Sequence, residues 1–165
     1  MKDLVIRPAK DVDLEQLLGL YEEFNAHYVS AVPDHLRLMI KPGYKDSSEF
    51  AAALREIING RDATILVAET GGRLVGLSEI YIRQEQLRSG AYPYAYMQSL
   101  VVSAPSRSQG IGMLLVDAAE DWARERGACE MRLEPLEFIE GLLNFYERLG
   151  YKTIRRTISR NLISS

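Results

Sequence analysis

The sequence predicts an α/β fold with a mixed, mostly antiparallel central sheet flanked by helices. Apolar residues alternate with period two in some stretches and recur at helical spacing in others, and the two kinds of stretch are interleaved along the chain. No internal repeat, low-complexity tract or linker interrupts the 165 residues, a length typical of one domain. We therefore expect residues 1–165 to form a single domain with the element order β α α β β β α β α β.

In the first half of the chain, the pattern predicts a strand, two helices and a hairpin. The strand covers residues 4–7, the helices cover about 11–24 and 46–58, and the hairpin strands cover 63–69 and 74–83. The segment Thr70-Gly-Gly-Arg73 predicts the hairpin turn, because glycine accepts the positive φ that such turns need. Residues 25–45 and 84–93 contain proline and glycine, which predicts loops.

The second half of the chain predicts two strand-to-helix units. A strand over 94–103 leads through a glycine-containing turn into a helix over about 110–126, and a strand over 129–134 precedes a helix over 138–149. Gly127 and Gly150 end the two helices, since glycine favours helix C-termini. Residues 151–161 are expected to form a terminal strand or hairpin.

Composition and charge exclude several functional classes. The net charge of −3 argues against a nucleic-acid binder that uses its whole surface. No apolar run approaches the roughly 20 residues of a membrane span, and the N-terminus lacks a signal-peptide pattern, so we expect a cytoplasmic protein without membrane contact. Cys129, the only cysteine, is expected to be a buried structural thiol, and the two histidines, His27 and His35, are too few to predict a metal site.

The segment from Ser99 to Leu115 is the most informative one for function. A strand runs into a loop with glycines at 110 and 112, and the loop opens a helix whose first N–H groups have no internal partner. Such a turn suits a phosphate or pyrophosphate, and Arg107 adds a cation. The spacing fits neither a dinucleotide fingerprint nor a P-loop. On this segment alone, a tight turn without a ligand is an equal alternative.

Two motifs resemble those of the GCN5-related N-acetyltransferases. Arg107-Ser-Gln-Gly-Ile-Gly112 matches the family's Arg/Gln-x-x-Gly-x-Gly/Ala, and Phe145-Tyr-Glu-Arg-Leu-Gly-Tyr151 is similar to its Phe-Tyr-Glu-x-x-Gly-Phe/Tyr. The opening Ile6-Arg-Pro-Ala9 also resembles the family's first strand. The predicted order of elements fits nearly the whole chain, and the two motifs occur at the family's spacing.

The resemblance implies an N-acetyltransferase that binds acetyl-CoA in a splayed, V-shaped cleft between strands four and five. It implies that the pantetheine arm pairs with the backbone of Leu100, Val101 and Val102. The pyrophosphate would lie by Arg107 on the amides of Ser108, Gln109, Gly110, Ile111, Gly112 and Met113. A primary amine of a small molecule or peptide would attack the thioester directly, without a metal. Tyr146 matches the tyrosine that protonates the departing thiolate in many members, and a phenol holds its proton at neutral pH.

The general base is less well defined. Many members carry an acidic residue in the fourth strand where this chain has Gln98, which cannot accept a proton. Glu79 on the preceding strand is the nearest substitute, with removal of the proton by water and a role for Glu134 as alternatives. Ile139 stands where the family often has a cofactor-binding asparagine.

The acceptor site and the competing functions are predicted only broadly. Loop residues are the candidates to line the acceptor pocket: His27, Tyr28, Asp34, His35, Tyr44, Glu85, Tyr92 and Tyr94. A non-catalytic CoA-binding regulatory domain is the alternative that Gln98 favours. A third reading is an interaction module whose glycine turn binds nothing. A homodimer is compatible with the sequence.

Overall fold

The computed structural model describes residues 3–34, 36 and 48–160. Their five strands form one sheet in the order β1-β2-β3-β4-β5. The strands are β1 (Val5–Pro8), β2 (Ala63–Thr70), β3 (Arg73–Leu87), β4 (Gly90–Val102) and β5 (Met131–Arg132). The α-helices of this part of the chain are α1 (Leu14–Ala31), α2 (Ser48–Ile58), α3 (Ile111–Glu125) and α4 (Leu142–Arg148). Short 3-10 helices cover Asp11–Asp13 and Ala104–Ser106.

The sheet is antiparallel from β1 to β4 and splays between β4 and β5. These last two strands run parallel and pair only through Ala95 with Met131 and Tyr96 with Arg132. Within the described residues, β4 has no strand partner on that side beyond Tyr96, although it continues to Val102. This opening confirms the predicted mixed sheet with a cleft between strands four and five.

Apolar packing on both faces of the sheet holds the cleft in place. On one face, the helices α1 and α2 bury Leu17 and Leu54 against Leu77 of β3. On the other face, α3 buries Leu115 and its neighbours against β3 and β4. Because α3 begins at the end of β4, this second core fixes where the helix N-terminus lies relative to the cleft.

The prediction of a loop over residues 84–93 is wrong, because β3 and β4 pair continuously to Leu87 and Gly90. Tyrosines at 92 and 94 favour extended chain and pair with residues 85 and 83 across the hairpin. Pro93 is tolerated since its carbonyl oxygen accepts a bond from the Cys129 amide, 3.0 Å away. Its missing N–H would therefore point away from β3, and no bond between these strands is lost.

Other predicted boundaries also change. The first helix extends to Ala31, past the predicted end near residue 24, and stops where Pro33 holds Val32 extended. Apart from Leu36, residues 35–45 of the predicted loop lie outside the described part, as do residues 46 and 47 of the predicted second helix. The last helix begins at Leu142 instead of 138, because Gly141 has a left-handed φ of 76°. Residues 151–160 form no strand, contrary to the prediction.

The Cys129 thiol is exposed, so the prediction of a buried structural thiol is wrong. The strand that should have buried it, over 129–134, is reduced to Met131–Arg132. Cys129 precedes that strand, and its side chain lies outside both apolar cores.

Candidate active site

A bulge in β4 shapes the inner end of the cleft. Glu79 of β3 pairs with Ser99, and the next residue, Ile80, pairs with Met97, so Gln98 has no partner across the ladder. The Gln98 side chain is exposed. The bulge brings the Ser99 hydroxyl onto the same face of the sheet as the Glu79 carboxyl group.

Beyond the bulge, the free edge of β4 presents backbone groups to the cleft. The Ser103 amide donates to the carbonyl oxygen of Val75 at 2.9 Å, which directs residue 103 toward β3. Because these groups alternate along a strand, Val101 also points toward β3, whereas Leu100 and Val102 point to the open side. The sequence prediction included all three residues, and two of them present backbone hydrogen-bonding groups to the cleft.

The loop from Ser103 to α3 forms a cradle of amides. Ser108 and Gly110 have left-handed φ values of 59° and 82°. The first bond within the helix runs from the Leu114 amide to the Gly110 carbonyl oxygen at 3.2 Å, so the amides at 111–113 have no partner in α3. Alternating backbone conformations and a helix N-terminus both concentrate N–H groups suited to an anion.

The two motif glycines are required for different reasons. A Cβ at Gly110 would meet no atom within 4 Å, so its left-handed φ is what favours glycine. A Cβ at Gly112 would lie 3.4 Å from the Phe145 ring and 3.8 Å from Val102 Cγ2. Gly112 thus allows α4 to pack closely against the beginning of α3, which brings the two sequence motifs together.

Arg107 lies at the junction of the cradle and the strand edge. Its Nε donates to the Val102 carbonyl oxygen at 3.0 Å, and its Nη2 is 3.5 Å from Glu23 Oε1. The same Glu23 oxygen accepts the Ala104 amide at 2.5 Å. Sequence reasoning missed Glu23, because it lies on α1, far along the chain from the loop that it holds.

Tyr146 lies in the apolar core behind the cleft. Its ring contacts Phe145 and Tyr151 edge-on, with centroid separations of 5.1 and 5.6 Å. Only 6 % of the residue is exposed, and this burial raises the pKa of its hydroxyl to about 12. The phenol is therefore a proton donor throughout the neutral range.

Glu79 is buried beneath hydroxyl groups from three elements. Its Oε2 accepts the Tyr21 hydroxyl at 2.6 Å and the Ser99 hydroxyl at 3.2 Å, while Oε1 accepts the Tyr81 hydroxyl at 2.5 Å. Burial, together with this bond to Glu79, raises the pKa of Tyr81. Sequence reasoning named Glu79 without these three donors, which satisfy its oxygens.

The face that holds Glu79 continues along the β3–β4 hairpin as a surface of tyrosines and charges. Glu85 and Tyr92, predicted in a loop, and Tyr94, predicted to begin a strand, all lie on these strands. His27 and Tyr28 lie on α1, whereas His35 and Tyr44 fall outside the described residues. Glu134 is exposed, and its carboxylate is second to burial among the causes that raise the pKa of Tyr96.

A separate cavity lies at the C-terminal end of α3, away from the amide cradle and beside the last residues of the second motif. It measures about 420 Å³ and is lined by residues that include Glu120, Arg124, Cys129 and Tyr151. In the described ranges, no group of three or more His, Cys, Asp or Glu side chains is arranged to hold a metal ion. None of the helices that can be described is both long and apolar enough to cross a membrane.

The splayed mixed sheet and the amide cradle after β4 agree with the acetyltransferase class that the two sequence motifs resemble. The model of the acetyltransferase (GNAT) family matches residues 18–151. The chain belongs to this family and is an acetyl-CoA-dependent acetyltransferase.

Relatives of the chain support this assignment. An uncharacterized N-acetyltransferase of Bacillus subtilis, YhfO, is 25% identical over 148 residues, 89% of each chain. The BH1408 protein of Bacillus halodurans, solved as a tetramutant, has the same fold, with a TM-score of 0.84 at 20% identity over 96% of this chain and 99% of that one. Aminoglycoside N-acetyltransferase AAC(6')-Iy, solved in complex with CoA, superposes with a TM-score of 0.72 at 19% identity over 96% and 93%.

Proposed function

We propose that the protein transfers an acetyl group from acetyl-CoA to a primary amine of a small molecule or peptide. The observation that carries this proposal is the free edge of β4. Pairing with β5 ends at Tyr96, and the unpaired edge runs on to Val102, where the loop with the amide cradle begins. An extended thioester arm needs an unpaired strand edge, and its pyrophosphate needs N–H donors at the end of that edge. Both features occur within one continuous segment.

The cofactor arm pairs with the backbone of Leu100 and Val102 in this proposal, and the pyrophosphate lies on the amides of residues 108–113. The Val102 carbonyl oxygen already accepts a bond from Arg107. A carbonyl oxygen has two lone pairs, so it can also accept a bond from the arm. Arg107 is then held at the point where the arm meets the pyrophosphate, and its charge favours that anion.

The chemical step needs one proton removed and one supplied. The amine nitrogen attacks the thioester carbonyl carbon, the C–N bond forms and the C–S bond breaks. Tyr146 donates its proton to the departing sulfur. The proton lost by the amine passes to the Ser99 hydroxyl as that hydroxyl's own proton moves to Glu79, whose Oε2 lies 3.2 Å from Ser99 Oγ. Glu79 needs such a relay because the hydroxyls of Tyr21, Tyr81 and Ser99 already occupy its oxygens.

Gln98 makes the transfer itself the step to test, because an amide in the fourth strand cannot take up a proton. The experiment combines acetyl-CoA with amino acids, polyamines, aminoglycosides and peptides, each tested for thiol release. The product is checked by mass spectrometry for one added acetyl group. Amine-dependent release that Tyr146→Phe abolishes supports the proposed transfer. CoA binding with no amine-dependent release by the wild-type protein would contradict it.

A further inference from the structure

The face of the β3–β4 hairpin that carries Tyr81, Tyr94 and Tyr96 also carries Arg83. In the part of the chain that the structure describes, the Arg83 guanidinium has no anionic partner. The Arg83 guanidinium lies 3.9 Å from the centroid of the Tyr96 ring and 5.7 Å from that of Tyr81. Stacking on a ring occupies the flat face of a guanidinium and leaves its N–H edge available. Arg83 is exposed, so that edge is accessible.

The neighbouring Arg132 has the same aromatic support but is paired with carboxylates. It lies 4.2 Å from the Tyr94 ring centroid, but its N–H groups are also bonded to Glu85 at 2.8 Å and to Glu130 at 3.2 Å. Arg132 is thus neutralised by two carboxylates. Arg83 has the same aromatic support without the carboxylates.

Arg83 also lies on the face that leads to the proposed proton acceptor. Because successive side chains of a strand point to opposite faces, residues 79, 81 and 83 of β3 share one face of the sheet. The Tyr81 hydroxyl donates to Glu79 on this face. Four residues of strand separate Arg83 from Glu79, about 13 Å along the backbone. The Arg83 guanidinium lies over the Tyr81 ring, whose hydroxyl donates to Glu79, so an acceptor whose amine is at Ser99 can place a second, negatively charged group against Arg83.

We propose that Arg83 binds a carboxylate of the acceptor, so that the preferred substrates are amino acids or peptides rather than polyamines or aminosugars. This inference rests on the proposed function and names the substrate class of the same site. Glu134, whose charge acts on the same Tyr96 on which Arg83 lies, accommodates the cationic part of such an acceptor. A zwitterion satisfies both signs of charge, whereas a polycation places a positive charge against Arg83.

The test compares acceptors that differ only in the carboxylate. Lysine is assayed against lysinamide, and glycylglycine against glycylglycinamide, with thiol release as the readout. The wild-type protein should prefer the carboxylate of each pair by about 2- to 5-fold in kcat/KM, the range of an ion pair at an exposed site. Arg83→Gln should reduce the preference to near one by raising KM for the acids, while the rates with the amides stay unchanged.

Arg73→Gln is the matched control, because Arg73 is an exposed arginine in the β2–β3 turn, and it should keep the preference. Arg83→Lys should restore part of it, since the charge stays and the paired donor geometry is lost. Equal rates with both members of each pair, or an unchanged preference in Arg83→Gln, overturn the role of Arg83 and leave the acetyltransferase intact. Absence of acetylation of any amine refutes the proposed function and this inference with it.

Discussion

The substitution Gly110→Asp tests the amide cradle most sharply when it is paired with Gly110→Asn. Both side chains have the same shape, and both tolerate the left-handed φ of 82° found at this position better than other non-glycine residues do. A Cβ at Gly110 meets no atom within 4 Å, so neither variant disturbs packing. The backbone strain is common to both variants and cancels in their comparison.

The difference between the two variants is one negative charge beside the bound pyrophosphate. Two unit charges about 6 Å apart at an effective dielectric constant of about 20 interact by about 3 kcal/mol. The aspartate variant should therefore bind CoA about 100-fold more weakly than the asparagine variant, and the gap should narrow at high salt. Isothermal titration calorimetry measures both affinities, with melting temperatures as a check on folding. Equal CoA affinities for the two folded proteins would refute the proposal that the amide cradle binds the pyrophosphate.

Further predictions concern the two proposed proton-transfer groups and the network around them. Tyr146→Phe should lower kcat by about 10²- to 10⁴-fold with little change in CoA affinity, since only the donor is lost; unchanged turnover, in conditions where chemistry limits the rate, returns Tyr146 to a packing role. Glu79→Gln should remove the acid-side limb of the kcat/KM profile along with much of the rate, and an unaltered profile and rate would rule Glu79 out as the proton acceptor. Tyr21→Phe should lower the free energy of unfolding in urea by about 1–3 kcal/mol, because the buried Glu79 loses one of its donors. Because the Tyr146 hydroxyl is protonated more tightly in the folded protein, with a pKa of about 12 against 10.0, its contribution to stability is complete below pH 10 and is lost as pH rises through 12. Between pH 10 and pH 12, Tyr146→Phe should therefore lose less free energy of unfolding than the wild-type protein. Identical dependence of unfolding on pH in the two proteins would contradict a raised pKa of the buried Tyr146 hydroxyl.

The parts of the fold that local patterns dictate could be predicted from the sequence. The glycine that begins α3 and the apolar spacing of α2 and α3 are local signals, and they predicted both helices to within two residues, whereas α1 was predicted seven residues too short. The long hairpin was missed because Pro93 and the polar residues around it are typical of loops, whereas pairing across β3 and β4 decides their conformation. Propensity in strands depends on such neighbours.

In the candidate site, too, the parts formed by one segment could be predicted and the parts assembled from distant segments could not. The cradle is one continuous segment, so its motif could be recognised. The environment of Glu79 is assembled from three separate elements: Tyr21 on α1, 58 residues away, and Tyr81 and Ser99 on two strands. The contact between Glu23 and the Arg107 loop spans 81 residues to Ala104. No single-sequence pattern encodes contacts at that separation.

Binding of CoA to the cleft between β4 and β5 is the central claim, and amide hydrogen exchange followed by NMR tests it most directly. Without CoA, the Val101 amide should already be protected by β3, while those of Leu100, Val102 and residues 111–113 exchange faster. Adding CoA should slow exchange at the amides of the α3 first turn and at Leu100 or Val102, and leave Val101 unchanged. Protection confined to the cavity lined by Glu120, Arg124 and Tyr151, with none at the cradle, would contradict the account.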